Sequence, residues 1–187
     1  MINVAVMEGW AGGPRLSKQF RDAVMAAGFQ ITGTEHADII IAHSGACYFV
    51  PTKTPAKLLI IIDPPYWPGK HILSRLIAKK KTDSRLTLKA LGWKAWLKKT
   101  FWETYYIFAK PSYSTTALKH NGSLAFLVNH KHKPTYVVRN DDDSFCSPDI
   151  QVALNGHPNV TYVRLPGEHD DYYINPAPYI ALLPKTL

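Results

Sequence analysis

Residues 37–48, ADIIIAHSGACY, constrain this chain more than any other stretch. Ile39, Ile40 and Ile41 form a short, wholly apolar, β-branched run, the pattern of a strand buried on both faces in a parallel sheet. The run breaks at His43-Ser44-Gly45-Ala46, where Ala42, Gly45 and Ala46 leave one serine among small neighbours. A serine raised on a tight strand-to-helix turn needs small residues two positions to either side, because the backbone there runs too close for side chains. The window reads A-x-S-x-A, a degenerate form of the G-x-S-x-G turn. Alone, it fits either a raised nucleophilic serine or an ordinary turn of small residues.

The rest of the chain supplies a frame for that strand. Residues 2–7, INVAVM, read as a first strand and lead into Glu8-Gly9-Trp10-Ala11-Gly12-Gly13-Pro14. Pro14 suits the first turn of a helix. Leu16, Phe20, Val24 and Ala27 recur at helical spacing until Gly28 ends the run. A weak strand is expected at 29–32. A short helix should start at Gly45 and end before Pro51, and residues 58–62, LLIII, form the next strand, closed by Asp63-Pro64-Pro65. Strand patterns return at 135–138 and 160–165, with a helix at 148–155 between them and a last short helix at 178–183. Between them, 70–130 shows no convincing strand. Leu86, Ala90, Trp93, Leu97, Phe101, Tyr105 and Phe108 trace an apolar stripe, which predicts a long helix over 85–110, with shorter ones at 71–81 and 115–128. The alternation argues a three-layer α/β/α fold around a mostly parallel sheet of about six strands.

A chain of 187 residues has room for one domain with a substantial core. No apolar run approaches the roughly 18 residues of a membrane span. The N-terminus enters a strand pattern without a basic leader, so no signal peptide is expected. Cys47 and Cys146 make no disulfide framework, which points to a reducing, cytoplasmic setting. The net charge of +8 is concentrated: residues 70–110 carry eleven Lys or Arg against two acids, Asp83 and Glu103, a net of +9. Electrostatic arguments about partners therefore concern that segment.

In a parallel sheet, functional groups gather beyond the carboxyl ends of the strands. Gly9 and Trp10 follow the first strand and Ser44 the third. Arg139-Asn140-Asp141-Asp142-Asp143-Ser144-Phe145-Cys146 follows the fifth, and Pro166-Gly167-Glu168-His169-Asp170-Asp171 the last. Serine, acid and histidine thus arrive in that order. A serine hydroxyl attacks poorly until an imidazole takes its proton, and the imidazole needs an acid to fix its tautomer and stabilise its cation. Backbone N–H groups must meet the developing oxyanion, and the residue after the nucleophile, here Gly45, supplies one. Trp10 is the expected second donor.

In these elements the chain resembles the α/β-hydrolase superfamily, and in particular small single-domain serine hydrolases. The matching pieces are G-W-x-G-G after the first strand, the serine turn, D-S-F-C-S-P beside the family's D-P-x-x-x-P, and the histidine loop P-G-E-H-D-D. They span residues 2–65 and 134–184. The resemblance implies Ser44 as nucleophile, Asp143 rather than Asp141 or Asp142 as the acid, and His169 as the base. It also implies a single domain with a core of 1–69 and 131–187 and a helical lid over about 70–130. Gly9, His43, Trp93, Leu97 and Phe101 would contribute to substrate binding. Glu8 departs from the family, many of whose members have His before the Gly. The implied reaction is cleavage of a carboxylic ester or related acyl bond in a small molecule, without a cofactor.

Other readings compete. His130-Lys131-His132 lacks a third ligand nearby, so no metal is expected. Gly9-Trp10-Ala11-Gly12-Gly13 does not fit G-x-G-x-x-G, and Trp10 would crowd a pyrophosphate. Cys47 reads as a small buried hydrophobe. Trp93, Trp96 and Trp102, interleaved with Lys89, Lys94, Lys98 and Lys99, suit either a lid or docking on an anionic membrane surface through 70–110. In the second case the hydrolase fold would be an inactive binding module for a membrane or protein partner. No reading motif accompanies the basic segment, which argues against nucleic acid.

Overall fold

A computed structural model describes residues 1–9, 17–68, 92–94, 96–97, 100–101, 105, 115, 119–120 and 122–187. Six strands form one sheet: β1 (Asn3–Met7), β2 (Gln30–Ile31), β3 (Ile39–His43), β4 (Leu58–Ile62), β5 (Thr135–Asn140) and β6 (Val160–Leu165). Their order across the sheet is β2-β1-β3-β4-β5-β6, and every pairing is parallel. The chain leaves β1 toward one edge, makes β2, and returns across β1 to place β3 on its other side. The strand order therefore reverses between β1 and β3, and a crevice opens there beyond the carboxyl ends.

The isoleucine runs fill both faces. Ala5, Ile40, Ala42, Leu59, Ile61 and Val137 share one core with Cys47, Phe126, Leu127, Ile150 and Leu154. Those partners come from the 3-10 helix Ser44–Phe49 and from helices α2 (Ala125–Val128) and α3 (Ile150–Ala153), with Leu154 at the end of α3. Val4, Val6, Ile39, Ile41, Leu58, Ile60, Ile62 and Val138 form the opposite core with Phe20, Val24, Tyr172, Tyr179 and Leu183. Phe20 and Val24 lie on α1 (Lys18–Ala26), Tyr172 on α4 (Asp171–Ile174) and Tyr179 on α5 (Ala177–Ile180). Successive side chains of a strand point to opposite faces, so an unbroken apolar run is what two helical layers demand.

The predicted strands at 58–62 and 160–165 match β4 and β6, while β3 and β5 each continue two residues beyond the expected 39–41 and 135–138, to His43 and Asn140. Helix α4 was not expected: four residues, with three aromatic or acidic side chains, are too few for a period to show. The described residues between 92 and 105 are helical, as predicted for 85–110. Helix 71–81 and most of the lid lie outside the described residues. Among the described residues, no helix is long and apolar enough to cross a membrane.

Candidate active site

The crevice at the strand-order reversal collects the polar ends of four strands. Ser44 follows β3 immediately and is buried, with φ of +54°. A left-handed backbone costs a non-glycine residue about 1–2 kcal/mol, and such strain persists only where surrounding packing enforces it. Here Gly9, just past β1, presses on the turn: a Cβ at Gly9 would fall 2.7 Å from Ser44 Cβ and 2.9 Å from the His43 carbonyl oxygen. Gly9 is thus required to be glycine by close approach to the serine. Gly45 is buried at the start of the 3-10 helix that continues from Ser44. Trp10 lies outside the described residues.

Glu8 anchors this corner to the helical layer. It pairs with Arg21 Nη2 at 2.6 Å and accepts a hydrogen bond from Ser17 Oγ, while Arg21 also donates to the Val6 carbonyl at 2.8 Å. The carboxyl end of β1 is thereby tied to the start of α1.

Across the crevice, His169 Nδ1 lies 2.9 Å from Asp143 Oδ2, and both side chains are buried. Asp143 Oδ1 accepts the Phe145 backbone N–H at 2.7 Å. The two neighbouring aspartates turn outward. Asp141 is an exposed partner of Arg164 at 2.9 Å, which holds its carboxyl below the usual carboxylate range, and Asp142 is exposed. The loop carrying Asp143 is braced from both sides. Arg139 Nε donates to the Cys146 carbonyl at 2.7 Å, Tyr66 N donates to Phe145 O at 3.1 Å, and Ser147 N donates to Tyr66 O at 2.8 Å.

His43 is buried. Its Nε2 lies 2.8 Å from the His169 carbonyl oxygen, and its ring packs 4.6 Å from that of His169 and 4.2 Å from Tyr172. His43 thereby holds the histidine loop against the serine strand. Trp93, Leu97 and Phe101, expected to point inward, are 60, 47 and 63% exposed. Four-residue spacing puts side chains on one helical face but does not say what that face meets. Cys47 and Cys146 are buried, and burial pushes both thiols well above their ordinary value, which makes them poor nucleophiles.

Two residues of the network escaped the sequence reading. Asp63, at the end of β4, has a fully buried side chain that holds Asn140 at the end of β5. A polar residue directly past a buried strand and ahead of Pro64-Pro65 is the available signal; its partner lies 77 residues away. Ligand-type atoms within 4.8 Å of one another occur in two groups among the described residues, His43 with His169 and Asp170, and Asp63 with Asp143 and His169. Both draw on His169, whose Nδ1 already faces Asp143.

No family model and no curated protein sequence matches this chain. Solved structures match nearly all of it. A membrane phospholipase A, described as a bacterial virulence factor, superposes with a TM-score of 0.69 at 9% identity, covering 96% of this chain and 76% of the other. A thioesterase domain from the curacin biosynthetic pathway gives 0.64 at 13%, covering 97% and 90%. A peroxisomal alpha-beta-hydrolase from Saccharomyces cerevisiae gives 0.57 at 13%, covering 96% and 74%. Such identities speak for the fold alone, and with the all-parallel six-stranded sheet they give it a name: this chain has the fold of the α/β-hydrolase superfamily.

Proposed function

We propose that the protein is a serine hydrolase that cleaves a carboxylic ester or related acyl bond in a small molecule. The observation that carries this reading is the buried 2.9 Å contact of His169 Nδ1 with Asp143, in a loop whose His169 carbonyl meets the side chain of His43, the residue before a serine in left-handed conformation. With Nδ1–H donated to the carboxylate, the neutral imidazole keeps its lone pair on Nε2. That nitrogen takes the Ser44 proton as Oγ attacks the acyl carbon, and Asp143 stabilises the resulting imidazolium. The Gly45 backbone N–H, with Trp10 as the expected second donor, meets the oxyanion. Collapse expels the leaving group, protonated by His169, and leaves an acyl ester on Ser44. Water, activated by the same imidazole, then releases the acid and regenerates the serine. Fold neighbours that include a thioesterase domain and a phospholipase A are consistent with acyl chemistry. A fluorophosphonate probe should label Ser44, and Ser44→Ala should abolish labelling; labelling that survives the substitution rejects the assignment.

A second property is favoured by one observation. Trp93, Leu97, Phe101 and Tyr105 follow one another at four-residue spacing, and all are at least 47% exposed. This face belongs to the segment of net charge +9. Exposed aromatics flanked by lysines suit the headgroup region of an anionic membrane. This exposure supports the docking reading. Co-sedimentation with phosphatidylglycerol vesicles but not phosphatidylcholine vesicles, lost at high salt, is the expected result. Equal or absent binding to both rejects it.

A further inference from the structure

We propose that Asp63 is a positioning residue behind His169: through Asn140 its buried carboxyl group fixes the histidine loop. The inference rests on His169 being the base of the proposed hydrolase.

Asp63 is fully buried, with φ of +48°. Its carboxylate takes two hydrogen bonds from one residue, Asn140 N to Oδ1 at 2.8 Å and Asn140 Nδ2 to Oδ2 at 2.6 Å. Asn140 is fully committed in turn. Its Nδ2 also donates to the Glu168 carbonyl at 2.8 Å, and its Oδ1 accepts the Tyr179 hydroxyl at 2.8 Å. Glu168 precedes His169 directly, so the end of β4 is connected through β5 to the backbone that carries the imidazole. The same arrangement ties the loop to α5. A carboxylate oxygen of Asp63 also lies within 4.8 Å of both a ring nitrogen of His169 and a carboxylate oxygen of Asp143.

The hydrogen-bonded path limits how far the histidine loop can move, which keeps the imidazole in place beside Asp143.

The rate of fluorophosphonate labelling of Ser44 separates this role from simple support of the fold. Asp63→Ala removes both acceptors of Asn140 and should slow labelling at least about tenfold, while Asp63→Asn, which keeps one accepting oxygen, should recover part of that rate. A parent-like rate in folded Asp63→Ala, or no recovery in folded Asp63→Asn, overturns the proposal. Asn140→Ala cuts the path from the other side, so it should also slow labelling at least about tenfold; an unchanged rate overturns the positioning role even where neither Asp63 variant folds. Failure of the parent protein to label would instead reject the hydrolase reading itself.

Discussion

His169 has one ring nitrogen facing Asp143, and in the proposed mechanism the other exchanges a proton with Ser44. This makes the choice among three consecutive aspartates a matter of direction. Asp143 turns inward to the imidazole, Asp141 outward to Arg164, and Asp142 is exposed. Asp143→Asn should reverse the preferred tautomer and cut turnover of an activated ester by up to about 10⁴-fold. Asp142→Asn should leave it within about twofold, as surface changes away from a site usually do. Steady-state kinetics of the two variants side by side checks this, and the opposite ranking would shift the acid by one position. Gly9 makes a second demand at this scale. Because an added Cβ would lie 2.7 Å from that of Ser44, Gly9→Ala should displace the serine turn and lower labelling of Ser44 without unfolding the protein. Equal labelling of this variant would show that the turn tolerates the added methyl.

At the scale of elements, the isoleucine runs explain both what was legible in the sequence and what was not. Ile39 and Ile41 face one layer while Ile40 faces the other, so a run without alternation announces a strand covered on both sides. That signal located β3 and β4 and with them the carboxyl edge where the polar groups lie. Ile40→Ala should destabilise the fold by about 2–5 kcal/mol, the usual cost of truncating a fully buried aliphatic side chain. A urea titration reads it directly, and a loss under about 1 kcal/mol would mean that the layer around Ile40 repacks into the space. Other features depend on partners distant in sequence. Asp63 looks like the end of a strand until Asn140 is placed beside it. His43 looks like an incidental neighbour of Ser44 until the His169 carbonyl arrives from 126 residues away. The stripe at 93–105 was legible as a helical face, but spacing along a helix carries no information about what that face meets.

Across the whole molecule, the core closes where the chain returns from the basic segment to the sheet, and His130 sits at that junction. Its backbone N–H bonds to Leu127 O at 2.9 Å and its carbonyl accepts Lys133 N at 2.8 Å. Lys133 Nζ reaches across to the carbonyls of Ala56 at 2.7 Å and Thr54 at 3.2 Å. The His130 ring is buried with no hydrogen-bond partner at Nδ1. Burial is the main cause that lowers its basicity below the ordinary imidazole value of 6.5, with the positive charges of Lys133 and His132 adding to it and a hydrogen bond to the Val50 backbone opposing it. The native protein therefore resists a proton that the unfolded chain accepts near pH 6.5. Below that pH the unfolded state binds more protons, so this contribution to stability is intact above pH 6.5 and is lost progressively as pH falls toward the lowered native value. Replacing His130 by Gln keeps a polar side chain and removes the titration. Thermal melts of both proteins between pH 8 and pH 5 should converge as the pH falls, the parent losing stability faster than His130→Gln. Curves that stay parallel across that range would show that the acid sensitivity arises elsewhere.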